Sequence, residues 1–163
     1  MSPRARRFAI AMALLAVCSP ASGKAQTGTQ TVRFAVNAIN VIAFTGSPSV
    51  KVITAVAGSN PTTVTNGTAR WAVTTNQTGA KITASIPSNV PAGLTLSASL
   101  QAPTGGTSLG FKALTTVSVD LVTGITKRNQ TNRTVSYRLA ATPAAGVIAP
   151  TTRVVTYTIT GGT

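Results

Sequence analysis

From residue 31 to residue 160, hydrophobic and polar positions alternate with a period of two in segment after segment, and no helical period recurs. Thr31 to Asn37 sets Val32, Phe34 and Val36 on one face and Arg33 and Ala35 on the other. An apolar run from Ile39 to Phe44 stops at Thr45-Gly46-Ser47-Pro48, and Val50 to Thr54 predicts another strand. Residues 57–68 are rich in Gly, Ser, Asn, Pro and Thr and read as a connection. Arg70–Thr75 and Lys81–Ile86 read as the arms of a hairpin, with Gly79 in the turn free to take positive φ. Leu94, Leu96, Ala98 and Leu100 face inward on the next strand, and Pro103-Thr104-Gly105-Gly106 marks a turn. Phe111–Leu114 and Val117–Ile125 are strands of unsettled phase, and Lys127–Arg133 reads as a polar loop. Val135, Tyr137 and Leu139, and then Val155, Tyr157 and Ile159, complete the inward-facing set. Eight or nine short strands separated by turns predict an all-β fold, a single Ig-like antiparallel β-sandwich.

The first 25 residues follow a different logic. Arg4, Arg6 and Arg7 precede the apolar run Phe8–Val17, and a small, polar stretch from Ser19 to Gly23 follows. This is the layout of a secretory signal peptide, with cleavage expected before Gln26. A ten-residue helix spans roughly 15 Å, about half a bilayer core, so the run is too short for an anchor. Leu15-Ala16-Val17-Cys18 also resembles a bacterial lipobox, which would tether the chain to a membrane through Cys18. Residues 1–25 are therefore assigned as leader and 26–163 as the β-sandwich domain. The chain is expected in the periplasm, at the cell surface or outside the cell, with no transmembrane segment in the mature part.

Composition narrows the chemistry. The chain carries a net charge of +13 with no His, and Asp120 is its one acidic residue. Over residues 26–163, ten Lys and Arg stand against Asp120, a net charge of +9, and there is no Cys. Disulfides are thus excluded from the exported part, and the core must hold the fold. Thr alone supplies 29 of these residues, which, with Val and Ile, is a strand-forming composition. Nucleophile–imidazole systems lack their imidazole, and paired-carboxylate hydrolysis lacks its second acid. Zinc, copper and calcium sites lack their ligand types, and no phosphate-binding glycine loop occurs. The sequence therefore predicts no enzyme, no cofactor and no metal.

Four features remain as candidates. Asp120 is expected on a strand surface, paired with a cation; the sharper alternative is a Lys–Asn crosslink beside a buried acid. Lys127, Arg128 and Arg133, with Arg138 on the following strand, could contact a polyanion such as lipopolysaccharide or an acidic glycan. No aromatic residues interleave them, so specific nucleic-acid binding is not expected. Trp71, Tyr137 and Tyr157 could form a sugar platform, but their registers predict core packing. Val32, Phe34 and Val36 form an alternating strand near a free N-terminus, able to complete its own sandwich or to enter a neighbour by β-strand addition.

Taken with the leader 1–25, the segment 31–36 and Thr-Tyr-Thr-Ile-Thr at 156–160, the chain resembles exported bacterial surface β-sandwiches, including fimbrial or pilin-like subunits. The resemblance is one of style across the chain and lacks the paired cysteines common in chaperone–usher subunits. It implies a non-catalytic structural or adhesive role, in which the chain self-associates or joins other envelope proteins by strand addition. The alternative expectation is a monomeric binding module for an anionic polymer or glycan.

Overall fold

The computed structural model describes residues 23–162. Cys18 and most of the proposed leader lie outside the described residues. Residues up to Ala35 and residues from Val36 onward form two separate units. The described part of the first carries no strand or helix.

The second unit is a two-sheet antiparallel β-sandwich, as the alternation predicts. Its strands are β1 (Asn40–Thr45), β2 (Val64–Thr75), β3 (Ala80–Ser85), β4 (Leu94–Leu100), β5 (Thr107–Ser108), β6 (Lys112–Ala113), β7 (Val119–Ile125), β8 (Arg128–Ala141) and β9 (Thr156–Thr160). One sheet runs β1-β2-β8-β4-β6 and the other β5-β7-β3-β9. Trp71, Val73, Leu100 and Val135 from the first sheet meet Ile82, Leu121 and Ile125 from the second in one buried core. Each is an alternate residue of its strand, so burying one face selects the register.

Several boundaries differ from the sequence reading, each for a physical reason. Arg70–Thr75 and Lys81–Ile86 are not a hairpin: β2 pairs with β1 and β8, whereas β3 pairs with β7 and β9. The turn between them is a corner that carries the chain from one sheet to the other. Its polar groups are held from outside: Asn76 N–H donates to the Ile39 carbonyl, Gly79 N–H to Thr126 Oγ1, and Lys127 N–H to the Gln77 carbonyl. A short turn between two alternating runs suits a corner as well as a hairpin, and local sequence does not separate the two.

The polar stretch 127–133 is also not a loop. The connection is only Thr126-Lys127, and β8 begins at Arg128. Lys127 and Asn132 take positive φ, at 41° and 57°. A register shift between Trp71↔Arg133 and Val73↔Gln130 places an extra residue in β8, a bulge that breaks the alternation. A similar irregularity near Val122 lets consecutive Leu121 and Val122 both be fully buried, which explains why β7 had no clean phase. In the 57–68 stretch, Val64 onward belongs to β2. Val50–Thr54 forms no ladder, and only an isolated bridge, Ala55↔Pro61, follows it. Residues 31–37 are likewise outside any strand.

Strand lengths are unequal. β2 and β8 have 12 and 14 residues, but β3, β7 and β9 have 6, 7 and 5. At about 3.4 Å per residue, the long pair reaches some 40–48 Å and the short strands about 17–24 Å. The inner face of the first sheet therefore extends past the second at the Leu94, Leu96 and Leu139 end. Irregular segments 47–55 and 146–155 run alongside this overhang and leave a cleft of about 1440 Å³.

Candidate binding surfaces

Val32, Phe34 and Val36 are 70%, 93% and 79% exposed. Three large apolar side chains at alternate positions are thus all left in solvent. Three residues beyond the Asn37 end of this segment, the chain enters β1, an edge strand of its sheet. The second sheet ends in β9, whose alternate residues Tyr157 and Ile159 face in and Thr156, Thr158 and Thr160 face out.

Of the four cations of the proposed polyanion contact, Lys127 lies just before β8 and the other three are spread along it. Arg128 lies opposite Thr75, Arg133 opposite Trp71, and Arg138 opposite Thr65 and Ser97. Ten residues of strand correspond to about 30 Å. Only Lys127 and Arg128 come together, at a shallow hollow shared with Asn76 and Asn129. Arg133 donates to the Ala102 carbonyl through a terminal guanidinium nitrogen, while its buried Nε has no partner. The Arg138 guanidinium carbon sits 3.7 Å from the centre of the Phe111 ring, a cation–π contact.

Asp120 accepts from Lys81 across β3 and β7, Nζ to Oδ1 at 3.1 Å, with both side chains substantially exposed. This is the expected surface pairing. Among the described residues no group of three or more His, Cys, Asp or Glu comes together. No helix among them is long and apolar enough to cross a membrane.

Trp71 is buried in the core, as its register predicts. Tyr137 and Tyr157 face inward, their hydroxyl oxygens 2.7 Å apart. Phe44 stacks on Tyr157 with ring centres 4.0 Å apart, and on Trp71 at 6.2 Å. Phe44, Tyr137 and Tyr157 line the cleft of the overhang, together with half-buried Ile42, Leu94, Leu96, Leu139 and Val155. Burial pushes both phenols above their ordinary range; for Tyr157, its neighbour Tyr137 adds to the effect, whereas the hydroxyl contact partly offsets it at Tyr137. Lys51 and Arg153 border the same cleft, and no carboxylate does.

Sequence reasoning did not single out the cleft or its two cations. Val50-Lys51-Val52 carried the right signal, an apolar alternation around a cation. The strand reading concealed it, because an alternating segment can line a groove without pairing in a sheet.

No protein-family model matches the chain, no curated protein is significantly similar to it, and no solved structure matches its fold significantly.

Proposed function

We propose that the protein is an exported, non-catalytic structural or adhesive subunit at the cell envelope that associates with copies of itself, or with other envelope proteins, by β-strand addition. The observation that carries this reading is the exposed alternation of Val32, Phe34 and Val36. Leaving such a stripe in water is unfavourable by about 1.5–3 kcal/mol for each large side chain that could be buried. An extended segment gains both apolar burial and backbone hydrogen bonds by adding to a free sheet edge. The outer edges of β1 and β9 offer such edges, since each ends its sheet among the described strands. The layout of residues 1–25 supports export. A residue set without imidazole and with one acid, engaged by Lys81, supports a non-catalytic role.

The reading as a monomeric binder of an anionic polymer or glycan has less support. Three of its four cations are distributed along one strand, and Arg133 and Arg138 are occupied within the fold.

Sedimentation of the purified protein over a concentration series tests the proposal. Regular assemblies are expected, and replacing Phe34 and Val36 by Asp is expected to reduce them to monomer without changing the unfolding midpoint. A wild-type chain that stays monomeric at every concentration, alone and with envelope extract, overturns it.

A further inference from the structure

We propose that the cleft at the overhang of the first sheet binds a long-chain carboxylate, with the hydrocarbon tail along the inner face of the sheet and the anionic head between Lys51 and Arg153. The inference is independent of strand addition, since it uses neither the 32–36 stripe nor the sheet edges.

The wall of the cleft is apolar and incompletely covered. Ile42, Phe44, Leu94, Leu96, Leu139 and Val155 all face it and are all only half-buried, although they lie on inward registers of a sandwich. The cleft, at about 1440 Å³, exceeds the roughly 300–1,000 Å³ of a drug-sized pocket. An alkyl chain suits an apolar wall, and each methylene removed from water contributes about 0.8 kcal/mol.

Charge selects the head group. The cleft carries two cations and no carboxylate to balance them. Arg153 donates to the Thr152 and Asn89 carbonyls through its terminal nitrogens, and its buried Nε has no partner. A carboxylate beside this guanidinium and Lys51 would be met by their charge. A second copy's 31–37 segment fits the same place poorly. Arg33 would bring a third cation to Lys51 and Arg153, with no acid among them.

Titration of the purified protein with dodecanoate below its micelle concentration tests the proposal. Binding is read by calorimetry and by the fluorescence of the single tryptophan, Trp71, which stacks on Phe44 in the cleft wall. Saturable binding of one dodecanoate per chain is expected, with uncharged 1-dodecanol binding about tenfold more weakly. Lys51→Glu, at an exposed position, is expected to weaken dodecanoate about five- to tenfold and leave dodecanol unchanged. Ala141→Trp, which fills the cleft, is expected to abolish both; should that variant not fold, the Lys51→Glu comparison decides. Absence of saturable binding overturns the proposal, as does equal affinity for acid and alcohol, or an unchanged Lys51→Glu.

Discussion

The paired hydroxyls of Tyr137 and Tyr157 are the most sensitive residue-level feature. These are the only tyrosines in the chain, so their titration can be read directly. Burial raises both pKa values. In the unfolded chain a phenol ionises near pH 10, whereas burial in the fold moves both ionisations to higher pH. The native state therefore holds more protons than the unfolded state above about pH 10, and stability must fall there. We expect the urea midpoint to be flat up to about pH 9 and to drop by about pH 11, with tyrosinate absorbance rising at higher pH in the folded than in the unfolded chain. Tyr157→Phe removes one hydroxyl and strands the other; the expected loss is about 1 kcal/mol in urea unfolding. Asp120→Asn should change stability by less than about 1 kcal/mol, because Lys81 and Asp120 meet in solvent.

At the level of elements, the bulges and corners shape the molecule more than any strand does. The alternation from β2 to β4 was legible because Trp71, Ile82 and Leu100 each lie on a register with a single buried face. The pairing was not legible, since nothing between Asn76 and Gly79 states which sheet the chain enters next. The Lys127–Arg133 stretch reads as a loop in sequence because its bulge, with Asn132 at positive φ, erases the period of two. Gly93 shows how a loop can matter to the cleft. It has a φ of +81°, and a Cβ there would lie 2.5 Å from the Ala145 backbone nitrogen. Its carbonyl also accepts from the Thr142 N–H, fixing the turn Pro143–Ala145 beside the cleft. Gly93→Ala is expected to cost about 2–3 kcal/mol in chemical denaturation.

Charge acts at the scale of the whole molecule. Residues 26–163 carry +9, so two copies repel one another before any strand can dock. Added salt shortens the range of that repulsion, from about 10 Å at 0.1 M to about 3 Å at 1 M. Self-association by the 32–36 stripe should therefore strengthen as salt rises, and sedimentation in low and high salt measures it. Contact with an acidic polymer through the β8 cations would weaken instead. The sign of the salt effect thus separates the two modes of association within one experiment.

The sequence by itself determined the all-β class and the inward residues of β2, β3, β4, β8 and β9, because these depend on local period and residue type. It also marked Val32, Phe34 and Val36 as an alternating stripe and Asp120 as a surface partner for a cation. Tertiary structure alone decided which sheet each strand joins, since both arms of a corner carry the same alternation as a hairpin. It separated Arg138 from Lys127 by the length of a strand. It also opened the cleft, by giving β2 and β8 about twice the length of their opposing strands and so bringing Lys51 and Arg153, 102 positions apart in the chain, to border the same apolar wall.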